Sequence, residues 1–157
     1  MKKTMTKQDA LNLYQNLNVL GNLSGVKFSY AVAKNANLLK AEVEALETSV
    51  KPLPAFEAYD TERVELARSH AKKDDQGNPT IVGNQFIIED QKAFDKDLEE
   101  LKSKHKEALE IRQTQLDEYA KLLKEPSEVV LHKITLADVP NQVTVTQMTA
   151  IQEFITE

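Results

Sequence analysis

Apolar residues recur at helical spacing in two long stretches of this chain, and a short β-type segment separates them. The first stripe runs Val32, Ala36, Leu39, Val43, Leu46 and Val50, and Phe56, Tyr59 and Leu66 continue it. The second runs Phe94, Leu98 and Leu101, slips, and resumes at Leu109, Leu116, Tyr119 and Leu123. Apolar positions alternating three and four apart line one side of a helix, so both stretches read as long amphipathic helices folded back on each other. The predicted fold class is mainly α. Long antiparallel helices form a helical hairpin or bundle, with a β-hairpin between two of them and a C-terminal strand plus short helix.

Local signals set the expected boundaries. Helices are expected near 7–20, 25–51, 55–73, 90–124 and 145–156, and strands near 80–82, 85–88 and 128–136. Thr6 caps the first helix with Asp9 in its first turn, Gly21 stops it, and Ser24 caps the second. Pro52 and Pro54 break the chain after Lys51, because neither donates an amide to a continuing helix. The string from Asp74 to Pro79 is a loop. Gly83-Asn84 is a two-residue turn of the primed type, which sets Ile81 opposite Phe86 and Pro79 near Ile88 and gives the hairpin one apolar face.

A helix over 90–124 rises about 1.5 Å per residue and reaches roughly 50 Å, too long for one short partner. Its eight-residue slip from Leu101 to Leu109, with His105 between, is a stutter that predicts a change of packing partner. No linker is evident, so 1–157 is expected to form a single helical domain, with the hairpin at about 79–88 and a strand–helix tail at 127–157.

Composition narrows the function classes. The 157 residues are 41% hydrophobic and 29% charged, with a net charge of −5 and the two signs interleaved. The basic knot Lys102, Lys104, His105 and Lys106 sits among Glu99, Glu100, Glu107 and Glu110, so no broad basic face forms and nucleic acid is not an expected partner. With no cysteine, disulfide and thiolate chemistry are excluded. Met1-Lys2-Lys3 resembles a signal n-region, but Gln8, Asp9, Asn12, Gln15 and Asn16 interrupt the apolar run that should follow. No stretch approaches bilayer length. The expectation is a cytoplasmic protein with no membrane partner.

Candidate chemistry is sparse. His105 falls on the apolar seam, His70 at a helix end and His132 in the predicted C-terminal strand, each most simply structural. The loop from Asp74 to Gln85 fails as a calcium site, having Pro79 where glycine is required and Gln85 where a bidentate glutamate belongs. Gly21 and Gly25 are too isolated to cradle a phosphate. No catalytic residue, metal ligand or cofactor is expected, and the reading is not an enzyme. Asp60, Glu62, Glu65, Glu99 and Glu100 offer nucleic-acid-like charge to a basic partner, although a solvated helical face accounts for them equally well.

The hairpin is the functional lead. Two strands alone are marginal in water, so this pair must either pack on helix ends or gain a strand from a partner or a second protomer through free edges. The candidate partner-binding residues are Ile81, Val82, Gly83, Asn84, Phe86 and Ile88.

The order of long helix, hairpin at Thr80–Ile88 and long helix resembles a prefoldin subunit, whose hairpins assemble into an oligomeric platform. The N-terminal helices, the Pro52/Pro54 break and the tail from Ser127 depart from that pattern. Most of the chain is similar to small proteins of tailed bacteriophages and prophages. The resemblance is carried by the leading helices, the loop Ala71-Lys72-Lys73-Asp74-Asp75-Gln76-Gly77-Asn78-Pro79, the hairpin and the Val139-Pro140 tail. It implies viral origin and a bacterial host cytoplasm, and it carries over no functional residues. The expected function is non-catalytic protein–protein interaction by a phage-encoded accessory protein that binds or inhibits a host or viral protein. The alternative is a self-associating structural, assembly or chaperone-like protein, possible as a homo-oligomer.

Overall fold

The computed structural model describes residues 3–156, with side chains from Thr4 onward; Met1 and Lys2 of the basic N-terminal reading lie outside them. In chain order the elements are β1 (Lys3–Thr6), α1 (Lys7–Leu17), α2 (Val26–Ser49), α3 (Pro54–Ser69), β2 (Ile81–Val82), β3 (Gln85–Phe86), α4 (Gln91–Lys104), α5 (Lys106–Leu122), β4 (Pro126–Val129), β5 (Ile134–Thr135), α6 (Val145–Ile151) and β6 (Ile155–Thr156). Single 3-10 turns follow α1, β5 and α6. The mainly α class and the hairpin between helices stand as predicted. The described chain gathers into two compact units. One holds the residues up to Val50 together with those from Glu118, and the other spans Lys51–Asp117.

In the first unit, β1 pairs antiparallel with β4, with Lys3 opposite Val129 and Thr6 opposite Pro126. Thr6 then caps α1: its hydroxyl accepts the Asp9 N–H at 3.1 Å while the Asp9 carboxylate accepts the Thr6 N–H at 3.1 Å. That reciprocal box satisfies two amides that the first helical turn leaves without partners. Ala10, Leu13 and Leu17 of α1 enter a core with Phe28, Ala31 and Leu39 of α2 and with Leu131, Ile134, Ile151 and Phe154. The buried face of α2 is Phe28, Ala31, Asn35, Leu39, Val43 and Leu46. The second half of the predicted stripe is therefore correct. In the first half, Val32 and Ala36 are only half-buried, and the neighbouring row that includes a polar residue takes the core.

The cap of α2 is also corrected. Gly25, not Ser24, occupies it, with φ +141 and no side-chain hydrogen bond. Glycine adopts that backbone conformation without the penalty a Cβ would bring. Gly21 keeps an ordinary right-handed conformation, so it does not end α1 by the expected left-handed stop. The predicted strand 128–136 becomes two: β4 pairs with β1, while β5 pairs in parallel with β6. Residues 130–133 leave the ladder because the His132 backbone bonds a side chain instead. The Asn35 amide accepts its N–H at 2.7 Å and donates to its C=O at 3.0 Å.

The second unit is an antiparallel helical hairpin. Pro54 opens α3 at its first position, where the missing N–H costs nothing. Returning along α4 and α5, the pairs across the seam are His70 with Asp97, Glu62 with His105 and Phe56 with Arg112. The expected single helix over 90–124 is interrupted at His105, where φ is −107 and ψ is 22. Hydrogen bonding passes through the interruption, from the His105 N–H to the Leu101 C=O and from the Leu109 N–H to the His105 C=O, both at 3.1 Å. Within this unit α3 is the partner on both sides of His105, so the expected change of partner is not what the slip marks. It rephases the apolar face of one seam. The second stripe is also drier in expectation than in fact: neither α4 nor α5 has a fully buried residue, and in this unit only Tyr59 and Ala71 are buried apolar side chains among the described residues.

Candidate interaction surface

The hairpin sits between the end of α3 and the start of α4, both of which the sequence ends with capping groups. His70 closes α3 and places Nε2 2.8 Å from an Asp97 carboxylate oxygen, with its ring edge-on to Phe94 at 5.7 Å. Asp90 opens α4 by accepting the Ala93 N–H at 3.1 Å. Between them, Ile81 pairs with Phe86 and Val82 with Gln85, the register the turn signal predicts. Gly83 takes φ +60, which fits the primed turn that matches strand twist.

Two expectations about this hairpin are revised. Pro79 lies opposite Lys73, and Ile88 opposite Ala71, rather than each other. The segment Ala71–Lys73 is thus stitched to the base of the hairpin: Lys72 donates its N–H to the Ile87 C=O at 2.7 Å and accepts the Thr80 N–H at 2.8 Å. Glu89 donates its N–H to the His70 C=O at 2.9 Å. Third-strand pairing within the chain therefore covers the base, which the free-edge expectation left to a partner. The single apolar face is revised as well. Ile81 and Val82 point to opposite faces of a strand, yet they are 55% and 65% exposed, and Ile87 is exposed too. Phe86 and Ile88 are half-buried and anchor the tip, while Gly83 and Asn84 form its exposed turn. Ile87 is the residue the sequence reading misses. Its alternation with Phe86 and Ile88 carries no sign of which side the helices cover.

The neighbouring loop is ordered by its own aspartate. Asp74 accepts the N–H groups of Gln76 and Asn78, each at 2.9 Å, and Gly77 turns the chain with φ +81. These amides, that of Asn78 foremost, hold the Asp74 carboxyl below its usual range. A depressed folded-state pKa contributes stability above the unfolded value, and that contribution is lost as pH falls through the folded value. Acidification from neutral through about pH 4 and below should therefore loosen this turn. The protection factors of the Gln76 and Asn78 amides, measured by NMR exchange and referred to the intrinsic rate at each pH, should fall on acidification in wild type and stay low and pH-independent in Asp74→Ala. Equal protection in both proteins at neutral pH would exclude the role given to Asp74.

The remaining candidates fall into structural positions. The His105 Nε2 lies 3.2 Å from Glu62, whose other oxygen receives Lys104 at 2.7 Å, and the His105 ring meets Tyr59 edge-on at 5.7 Å. The Lys104 ammonium, chiefly, with His105 beside it, lowers the Glu62 pKa. His132 presents its ring to Tyr30 at 5.3 Å. The helix-surface pairing expected for the carboxylates is present, with Lys102 2.7 Å from Glu99 and Lys106 3.7 Å from Glu110. Among the described residues, no group of three or more His, Asp or Glu side chains is placed to hold a metal ion. No helix among them is long and apolar enough to cross a membrane.

Comparison with protein-family models, with curated proteins and with solved structures finds no match for this chain.

Proposed function

We propose that this protein is a non-catalytic protein-interaction module that docks through the hairpin tip, as a phage-encoded accessory protein would dock on a host or viral protein. The exposure of Ile81, Val82 and Ile87 on a tip whose base is pinned by backbone hydrogen bonds carries the reading. Apolar side chains clustered on a rigid projection lose solvent at little entropic cost when a partner covers them. Phe86 and Ile88 are half-buried, paired through the backbone with Ile81 and Ala71. The net charge of this unit then acts at long range: residues 51–117 hold eleven Lys and Arg against fifteen Asp and Glu, although Asp60, Glu62, Glu65 and Glu99 are each paired with a cation. Such a field favours a basic partner surface and speeds encounter at low salt.

The test uses tagged wild type and the double variant Ile81→Asp/Val82→Asp as parallel baits in bacterial host lysate. Both side chains are solvent-exposed, so helicity by circular dichroism should be unchanged. Stoichiometric capture of a protein by wild type and its loss from the variant is the expected result. Equal capture by both baits would overturn the assignment of the tip.

A further inference from the structure

The first unit contains a concave surface with chemistry opposite to that of the tip. A cleft of about 390 Å³ lies between the start of α2 and the paired strands β5 and β6, lined by Val26, Tyr30 and Ile134. Val26 is 91% exposed and Tyr30 57%. They stand one turn apart on α2, so an aliphatic and an aromatic side chain face solvent together. An apolar cavity of about 150 Å³ accepts a benzene-sized group, and this cleft has room for two.

Its rim is cationic in an acidic protein. Lys27 and Lys133 line it, the Lys133 ammonium donating to the Glu153 C=O at 2.6 Å, and the Lys34 ammonium lies 5.5 Å from the Tyr30 ring centroid. Among the described lining residues Asp138 is the one acid, and Lys27 at 3.1 Å, with Thr135, keeps its pKa below the usual carboxylate range. The α2 N-terminus, capped by Gly25 without a side-chain hydrogen bond, adds the positive end of a 24-residue helix. The tip has the converse character. The chain segments that flank the tip, 72–75 and 89–90, carry Asp74, Asp75, Glu89 and Asp90 against Lys72 and Lys73.

We infer that the hairpin tip of one copy docks into the α2–β5/β6 cleft of a second copy, head to tail. This rests on the reading of the tip as a docking element and gives it a second occupant, which competes with a host or viral protein for the same side chains. Apolar projection meets apolar cleft, and the acids around the first face the lysines around the second. A contact between two different patches uses one tip and one cleft per junction, so each copy keeps the complementary element available. An interface this narrow belongs to the small, weak class, and its opposed charges make it sensitive to salt.

Sedimentation of the full chain tests this directly. Wild type should associate at chain concentrations on the order of 100 μM, where a contact with a dissociation constant near that value is substantially formed. It should dissociate when salt is raised to about 1 M, where the Debye length falls to about 3 Å. Ile81→Asp/Val82→Asp removes the tip. Val26→Asp places a carboxylate in the cleft at the first position of α2, which favours negative charge and so preserves the helix. Each variant alone should associate at least tenfold more weakly than wild type. An equimolar mixture should recover a 1:1 dimer, because one chain retains its tip and the other its cleft.

Monomeric wild type at low salt, association of Val26→Asp equal to wild type, or failure of the mixture to pair would each overturn the inference. If wild type stays monomeric while the tip variant loses a captured host protein, the docking role of the tip stands and the second copy as its receptor falls.

Discussion

Phe154→Ala should destabilise the protein by about 3–5 kcal/mol, the range for truncating a fully buried phenylalanine. Phe154 has 0% exposure and lies in one core with Phe28, Leu39 and Ile151. The 3-10 turn after α6 carries it inward, and a short backbone segment of this kind cannot collapse fully around the lost ring. Urea or thermal unfolding followed by circular dichroism measures the cost, with a fall in Tm of about 6–20 °C expected. Leu101→Ala provides the contrast. Leu101 is only half-buried on α4, so its truncation should cost about 1 kcal/mol. Comparable losses at both positions would show that the seam of the second unit is drier than its exposures state. A loss below about 1 kcal/mol at Phe154 would remove the C-terminal turn from the core.

Asn35→Leu should cost about 2–5 kcal/mol although it replaces a polar residue in the core by an apolar one. Asn35 has 0% exposure, and its amide bonds both the N–H and the C=O of His132. Leucine satisfies neither, and each backbone group stranded without a partner costs about 1–3 kcal/mol. Asn35→Asp separates the two bonds. A carboxylate still accepts the His132 N–H but faces the His132 carbonyl oxygen with no donor. Burial and that oxygen raise the pKa of the introduced acid above its unfolded value. Its charged form is therefore penalised above the folded pKa, and stability should recover as pH falls through it, when the protonated acid can donate. Unfolding measured across pH 4–8, relative to wild type, reads this sign. A stability difference between Asn35→Asp and wild type that does not change with pH would refute the two-bond role.

Both substitutions probe features with different visibility in the chain. Thr6 with Asp9 three residues on, the Pro52/Pro54 pair and Gly83-Asn84 between β-branched runs are local: each signal and its effect lie within a few residues, so the helix start, the break and the turn register are legible. Leu39, Val43 and Leu46 are legible for a similar reason, since helical geometry alone puts them on one side.

The upper half of that helix is different. Which of two adjacent rows, Val32/Ala36 or Phe28/Ala31/Asn35, faces inward depends on the His132 backbone 97 residues away, which needs an amide to satisfy it. Composition ranks Asn35 as surface, and only the bonds across that separation make its burial favourable. Strand β1 is equally hidden. Lys3–Thr6 has too few residues to show an alternating pattern, and its ladder exists because β4 lies beside it. The hairpin was legible, but the exposure of Ile81, Val82 and Ile87 and the pairing of Ala71 and Lys73 with its base were not.

The sequence by itself determined the main helices, the break at Pro52/Pro54 and the turn at Gly83-Asn84 with the Ile81–Phe86 register, because propensity, capping and period act over one or two turns of chain. The tertiary structure alone decided the inward row of α2, the division of the C-terminal strand and the solvent-facing side of the hairpin. Each of these depends on a backbone or side-chain partner distant in sequence, and local periodicity carries no information about where that partner will lie.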